Sequence, residues 1–182
     1  MGMIPSKQGA GRAGALLTAL LLAGCIDSAA PILTDAQPQF GPQLRVHSYS
    51  LIDGLGSGPE TGTFRWERGQ YHPTGRPTFK VDDLTFYAFA GSDLIVQSRG
   101  LDHKDKRFEY ALARKLADAV YLVIAIDEDD ADEPTRAKFC TKSALSSCRI
   151  ATREALMAFA QATAAKRDPK GGLAIIAAPP NR

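Results

Sequence analysis

The densest group of possible metal ligands in the sequence is an acidic run between residues 127 and 133. Carboxylate oxygens are the ligands that calcium prefers in proteins. An EF-hand loop also needs ligands at alternating positions, a central glycine and a distal glutamate, and neither the spacing nor the glycine is present. We therefore expect no metal site but a solvated acidic loop capping a short helix that begins at Pro134, a residue suited to the first helical position. The acidic residues are Asp127, Glu128, Asp129, Asp130, Asp132 and Glu133.

A second candidate for chemistry is a glycine-rich stretch that could approach a phosphate group. It contains Gly54, Gly56, Gly58 and Gly62. Both common phosphate-binding fingerprints open a helix, whereas this stretch leads into an alternating, strand-like segment. Ser57 also lacks the glycine two residues earlier that a nucleophile elbow carries. The glycines therefore predict a hairpin loop.

The three histidines, His47, His72 and His103, lie in separate segments with no H-x-x-H spacing. A catalytic nucleophile must lie beside a base, and the sequence places no such pair together. We predict no catalytic residue, no metal ligand and no cofactor, so an enzyme is the less favoured class. A hydrolase whose site assembles only in the folded chain stays as an alternative.

The amino-terminal residues have the pattern of an export signal. An apolar run at residues 13–23 follows two basic residues and ends in the sequence LAGC at residues 22–25. A basic start, an apolar stretch of about ten residues and a small-residue exit are typical of a secretory signal. With a cysteine directly after Ala-Gly, the segment resembles a bacterial lipoprotein signal with its lipobox. The resemblance implies removal of residues 1–24 as a signal peptide, diacylglycerol on the Cys25 sulfur, and acylation of the new amino terminus with fatty acids such as palmitate.

The same resemblance implies a place in the bacterial cell envelope, with lipid on Cys25 as the membrane anchor. In enterobacterial lipoproteins, an aspartate directly after the lipidated cysteine favours the inner membrane. Ile26 holds that position here, so we expect the outer membrane, with the protein facing the periplasm. A retained amphipathic or transmembrane anchor in the first 25 residues is the alternative, although the apolar run is shorter than the roughly twenty residues that span a bilayer.

The charge balance limits the classes of partner. Lys7 and Arg12 are the only charged residues before Cys25 and account for the net charge of +2 of the full chain. A mature chain with balanced charge lacks the clustered basic face of a nucleic-acid-binding protein and the polybasic segment that binds anionic lipid. We expect no nucleic-acid partner, and an envelope protein is the candidate macromolecular partner.

A polar segment punctuated by proline follows the predicted lipidation site. Pro31, Pro38 and Pro42 lie within it, and proline favours extended chain. The composition predicts a lipidated tether at residues 25–43. Residues 44–182 are enough for a single globular domain that buries its own core.

Three cysteines are present, and lipid on Cys25 would leave Cys140 and Cys148. An even remainder in an oxidising compartment predicts one disulfide, whose short loop would contribute about 2–3 kcal/mol. Two unpaired buried thiols are the alternative. We do not expect zinc, because the sequence has no C-x-x-C and no histidine near either cysteine.

Alternation of apolar and polar residues indicates a series of short strands before residue 130. Residues 108–126 are ambiguous: we favour a hairpin with its tip at Ala117–Asp118 over a helix at about 109–117. A Thr152 N-cap and helical spacing of apolar residues predict a helix at 153–166. This order predicts an α+β fold, a mostly antiparallel sheet of short strands with one C-terminal helix packed on it and a final short strand. The predicted strands lie near residues 44–52, 63–71, 79–90, 94–98 and 173–177.

Aromatic residues occupy both alternating sets of positions in the predicted strand around Phe86 and Tyr87. The sheet would therefore be apolar on both faces. One face could pack on the helix, and the other could form a groove or a partner surface. We therefore predict an envelope lipoprotein that works as a non-enzymatic binding or assembly accessory. A carrier that holds a small ligand in a pocket between sheet and helix is the main alternative.

Overall fold

The computed structural model describes residues 26–50, 60–75, 81–100, 107–142, 148–166 and 172–177. These residues contain nine strands and two α-helices. The strands are β1 (Asp27–Ser28), β2 (Gln43–Ser50), β3 (Glu60–Glu67), β4 (Gln70–Pro73), β5 (Val81–Ala88), β6 (Leu94–Gly100), β7 (Phe108–Ala117), β8 (Val120–Ala125) and β9 (Gly172–Ala177). The helices are α1 (Glu133–Phe139) and α2 (Arg153–Ala164).

Strands β2 to β9 form a closed antiparallel barrel in which each strand pairs with the next along the chain. The circle closes because β9 pairs with both β8 and β2, with Ile176 opposite Val46 and Ala174 opposite Tyr121. β1 lies outside the circle and pairs with the first two residues of β7. This is an up-and-down barrel, and closure leaves the circle without a free edge.

The predicted α+β fold, a sheet with one C-terminal helix packed on it, is therefore wrong. The protein is mostly β, and its sheet closes on itself. Alternation within a strand reports which residues share a face, and it located most of the strands. It carries no information about which distant strand completes a circle, and β2 and β9 lie at opposite ends of the domain sequence.

Several local predictions are confirmed. Residues 108–126 form the favoured hairpin, with its two-residue turn at Asp118–Ala119, one residue later than expected. Helix α1 has Pro134 in its first turn. Helix α2 follows Thr152, whose side-chain oxygen accepts a hydrogen bond from the Ala155 N–H.

Alternate residues of the strands point into the barrel and form an interior core. Aromatic rings close one end: Phe40 lies edge-on to Phe86 and Tyr121, with ring centroids 5.0 and 6.0 Å away. The Tyr71 hydroxyl accepts from the Phe40 N–H and donates to the Gly41 carbonyl, so the chain entering β2 is fastened across this end. The buried interior core is Leu44, Val46, Phe64, Tyr71, Leu84, Phe86, Leu94, Ala113, Tyr121, Ala174 and Ile176.

The alternate side chains of β5 to β8 that point out of the barrel form a second core beneath α2. Leu156 and Phe159 of α2 join Ile95, Leu112 and Ile124 in one buried cluster, which we call the outer core. No helix in the described part of the chain has both the length and the apolar character that crossing a bilayer requires.

Part of the segment predicted to be a tether, residues 25–43, packs on the barrel, at residues 26–28 and at Leu33, while most of residues 34–39 are exposed. Ile26 and Leu33 are fully buried in the outer core. The Ile26 N–H donates to the Ile126 carbonyl at 3.1 Å, and the Gln97 side-chain oxygen accepts from the Leu33 N–H at 3.1 Å. The tether interpretation does not fit this part of the chain, because a few apolar residues in a proline-rich, polar segment are enough to hold it in place.

The two ends of the barrel differ in the length of their connections. At the end closed by Phe40, which we call the turn end, the strands are joined by residues 68–69, 89–93 and 118–119. At the opposite end, which we call the long-loop end, the connections are residues 51–59, 74–80, 101–107 and the helix-containing segment 126–171. Binding groups are disproportionately found on such longer connections around a rigid scaffold.

Candidate functional site in the barrel interior

The inward-facing side chains divide into a packed half and an accessible half. Toward the turn end, the opposed pair Leu94 and Ala113 is buried. Two residues further along the same strands, the opposed pair Val96 and Ala111 is partly exposed, although its register also places it inside. Inward-facing side chains near the long-loop end are therefore partly exposed, whereas those nearer the turn end are buried. We call the accessible half the upper lumen; its partly exposed residues are Ser48, Glu60, Val81, Val96, Ser98, Ala111, Val123, Ala125 and Gly172.

Residue size accounts for the partial exposure of the upper lumen. An eight-stranded barrel has an interior just wide enough to be filled by side chains or to hold one small ligand. Phe86 and Tyr121 fill the packed half, whereas Ala111, Ala125 and Gly172 contribute little volume on three neighbouring strands. The walls between them are apolar, because Val81, Val96 and Val123 also border the interior core.

Polar residues form the rim of the upper lumen. Ser48 lies opposite Glu60 across the β2–β3 pair, and Ser98 lies opposite Glu109 across the β6–β7 pair. Burial raises the pKa of the Glu60 carboxyl above its ordinary value. Apolar walls beneath a few polar groups are the usual composition of a small-molecule site, and they suit a ligand with an apolar body and one polar end.

A buried cluster of ion pairs stands beside this rim at the start of β7. The Asp27 carboxylate accepts from Arg149 Nε at 2.7 Å and lies 3.4 Å from Arg107 Nη1. Glu109 lies 3.9 Å from Arg107. Two carboxylates thus face two guanidinium groups, which satisfies the rule that buried charges are paired. The cluster attaches β1 both to β7 and to the residues after Cys148.

The acidic run forms helix caps and two ion pairs, one of them between Asp129 and Arg136, in agreement with the capping interpretation. Asp127 accepts from the Asp129 N–H and Asp132 from the Thr135 N–H, both at 2.9 Å. Asp130 forms an ion pair with Lys166, just beyond α2. Burial raises the pKa of Asp127, and its carboxylate neighbours add to that effect.

His72 is the one histidine with a carboxylate partner among the described residues. Its Nδ1 atom lies 2.6 Å from Asp83, whose other oxygen lies 2.6 Å from Arg99. A carboxylate that orients a histidine is half of a catalytic triad, but the Nε2 atom here faces the Gln70 amide at 3.4 Å. All four groups lie on the outside of the barrel, where β4 and β5 share a single pair of opposed residues. We therefore assign them to stabilising the contact between these two strands.

The other residues singled out by sequence fall into two groups. Cys140 and Cys148 lie at disulfide distance as predicted, with Cα atoms 4.7 Å apart. Glu128 lies close to both sulfurs, but a disulfide sulfur has no thiolate to offer a metal. Cys25, His103 and the glycines at 54–58 lie outside the described residues, and His47 lies on the outward parity of β2.

Sequence reasoning did not find the upper lumen. The alternation within β7 separates Ala111 and Ala113 from Leu112, and it indicates that the two alanines share a face. It does not indicate that this face encloses a space, which follows only from closure of the barrel.

Comparisons with protein-family models, with curated protein sequences and with solved structures found no match to this chain.

Proposed function

We propose that this chain is an envelope lipoprotein whose barrel binds a small, largely apolar ligand in the upper lumen without catalysing a reaction. The observation that carries the proposal is the change from packed aromatic residues at the turn end to small, accessible residues at the long-loop end. The space between sheet and helix, where the alternative carrier hypothesis placed a pocket, is filled by Leu156 and Phe159. The ligand site is therefore proposed inside the barrel instead.

A small ligand explains the described surface better than assembly with another protein. Among the described residues, the exposed large hydrophobic side chains are Tyr49 and Leu116. They lie on β2 and β7, which are not neighbours in the sheet. A protein-binding surface usually presents a contiguous apolar patch, and two separate side chains do not make one.

Envelope localisation and lipid on Cys25 are part of the proposal. The support is the lipobox-like sequence at residues 22–25 and the Cys140–Cys148 pair at disulfide distance. Structural disulfides persist in oxidising compartments such as the periplasm. The two observations are independent, because one concerns export and the other the folded domain.

The ligand proposal is tested with Ala111→Phe. A phenyl ring at this position would occupy the upper lumen, so saturable binding of an uncharged apolar dye such as N-phenyl-1-naphthylamine should be abolished. The free energy of unfolding should fall by no more than about 1 kcal/mol, because the ring enters open space and does not overpack a filled core. Fluorescence titration and urea unfolding measure the two effects.

Two matched variants complete the test. Ala117→Phe lies on the same strand at an exposed position and should bind the dye as the unaltered protein does. Ala113→Phe adds the same ring to the packed half and should destabilise the fold by about 1–3 kcal/mol or more. Undiminished dye binding by a folded Ala111→Phe protein would refute the upper lumen as the site.

The lipid proposal is tested with Cys25→Ala. Without the thiol, the precursor has no acceptor for diacylglycerol and should accumulate at its full length of 182 residues. Metabolic labelling with a fatty acid, followed by mass measurement, reads both properties. A mature, fatty-acid-labelled species from the Cys25→Ala chain would rule out Cys25 as the attachment site.

A further inference from the structure

Lipid on Cys25 would be attached one residue before a buried part of the barrel. Ile26 is fully buried, and its N–H donates to the Ile126 carbonyl at 3.1 Å. Consecutive Cα atoms are about 3.8 Å apart across a trans peptide. The anchor would therefore be joined to the folded domain with no spacer.

Ile26, the residue that follows the proposed attachment site, lies at the long-loop end of the barrel. Ile126 directly follows β8, whose last residue, Ala125, belongs to the upper lumen. β1 pairs with Phe108 and Glu109, the first residues of β7, and Glu109 stands on the rim opposite Ser98. The same end of the barrel thus carries both the entrance to the upper lumen and the start of the described chain.

The chain at this point is held on several sides. Asp27 forms ion pairs with Arg149 and Arg107, and its N–H donates to the Cys148 carbonyl. The Ser28 hydroxyl lies 2.6 Å from the Tyr110 hydroxyl in a buried hydrogen bond. Paired charges and hydrogen bonds hold residues 26–28 in place. This segment therefore does not act as a flexible hinge between the proposed anchor and the rim.

We infer that lipid on Cys25 holds the long-loop end against the bilayer, and that the upper lumen takes up an acyl chain directly from that bilayer. The inference rests on the proposed function, both the lumen site and the lipid, and it names the ligand class and its source. The apolar walls fit a hydrocarbon chain, and the hydroxyl groups of Ser48 and Ser98 on the rim can donate hydrogen bonds to the group at its end. Four residues of tilted strand, at about 3.3 Å each, give the upper lumen a depth of about 10 Å.

The charges near the attachment point are compatible with a membrane surface. The carboxylates of Asp27 and Glu109 face the guanidinium groups of Arg107 and Arg149. A bilayer with anionic lipids repels uncompensated acidic groups, and pairing offsets that repulsion for these two carboxylates.

The orientation is tested by quenching of single tryptophans. Trp66 is the only tryptophan in the chain and is first changed to Phe. Thr74→Trp then places a probe at an exposed position of the long-loop end, and Ser92→Trp places one at an exposed position of the turn end. In the lipidated protein on vesicles that contain nitroxide-labelled phospholipid, Thr74→Trp should be quenched and Ser92→Trp should not. Stronger quenching of Ser92→Trp, or equal quenching of both, would overturn the inference.

The source of the ligand is tested by inserting a Gly-Ser spacer of about twelve residues between Cys25 and Ile26. Such a spacer spans roughly 20 Å and releases the barrel from the bilayer surface while leaving Ile26 onward unchanged. Uptake of a pyrene-labelled acyl chain from vesicles should become about ten times slower. A longer linker lets the barrel spend less time with its rim at the bilayer, which lowers the effective concentration of lipid at the rim. Binding of a soluble pyrene fatty acid should stay as in the unaltered protein.

The outcomes separate this inference from the proposed function. If the unaltered protein fails to bind the soluble fatty acid, the lumen is not a ligand site and the inference falls with it. If soluble binding is normal but the spacer leaves vesicle uptake unchanged, the lumen function stands and uptake from the adjacent bilayer is refuted. Normal soluble binding with slowed vesicle uptake supports the inference, provided that Ala111→Phe abolishes both.

Discussion

At the scale of single residues, the site depends on where the chain places small side chains. Ala111 and Ala113 have the same chemistry and the same face, but only Ala113 belongs to the buried interior core with Phe86 and Tyr121. Ala111 lies opposite Val96 and is partly exposed. A difference of two positions on one strand therefore separates a core residue from a wall of the proposed ligand site.

Glu60 gives a prediction about pH. Burial raises its folded-state pKa above the unfolded value, so its contribution to stability is complete below about pH 4 and is lost as the pH rises through the folded-state pKa. Glu60→Gln stays neutral at every pH. It should therefore be more stable than the unaltered protein at pH 7, by less than about 1 kcal/mol because the group is mostly solvated, and equal to it at low pH.

Urea unfolding of both proteins at neutral pH and near pH 4 checks this prediction. Glu67→Gln is the matched control, since Glu67 lies on the same strand in an exposed ion pair with Arg65. A Glu60→Gln effect of the same size at both pH values would show that burial of the charge is not its cause.

At the scale of elements, local sequence signals identified most strands and both helices, because caps, turns and alternation act over a few residues. The packing of Ile26 and Leu33 on the barrel was not predicted, because the proline-rich composition of their segment is that of a linker. Its attachment depends on Ile26 and Leu33 and on distant partners such as Tyr110, whose pKa burial raises to about 12. Nothing within the segment itself encodes those partners.

The pairing of Cys140 with Cys148 gives a prediction at this scale. Thiol alkylation of the unfolded, unreduced protein should modify neither cysteine. The double variant Cys140→Ser, Cys148→Ser should lose about 2–3 kcal/mol of unfolding free energy, the value that chain entropy gives for a loop of this length. Mass spectrometry and urea unfolding supply the two readouts, and quantitative alkylation of both cysteines without reductant would refute the pairing.

At the scale of the whole molecule, closure of the barrel determines both the fold class and the site, and it was the feature that the sequence did not predict. In β6 and β8, both sets of alternate side chains contain apolar residues, for different reasons. One set lines the barrel interior, and the other packs under α2. For an open sheet, apolar residues on both faces indicated one face packed on the helix and a groove or partner surface on the other. Once β9 pairs with β2, the same pattern describes an outer core under α2 and a barrel interior whose side chains are partly exposed near the long-loop end.

The most direct test of this account locates the ligand by methyl NMR. Neighbouring residues with opposite parity supply matched probes: Val96 and Val123 face the upper lumen, and Ile95 and Ile124 face the outer core. On titration with a fatty acid, the account predicts large, saturable shifts of the two valine methyl groups and little change in the two isoleucines. Shifts concentrated on Ile95 and Ile124, with Val96 and Val123 unmoved, would place the ligand under α2 and contradict the account.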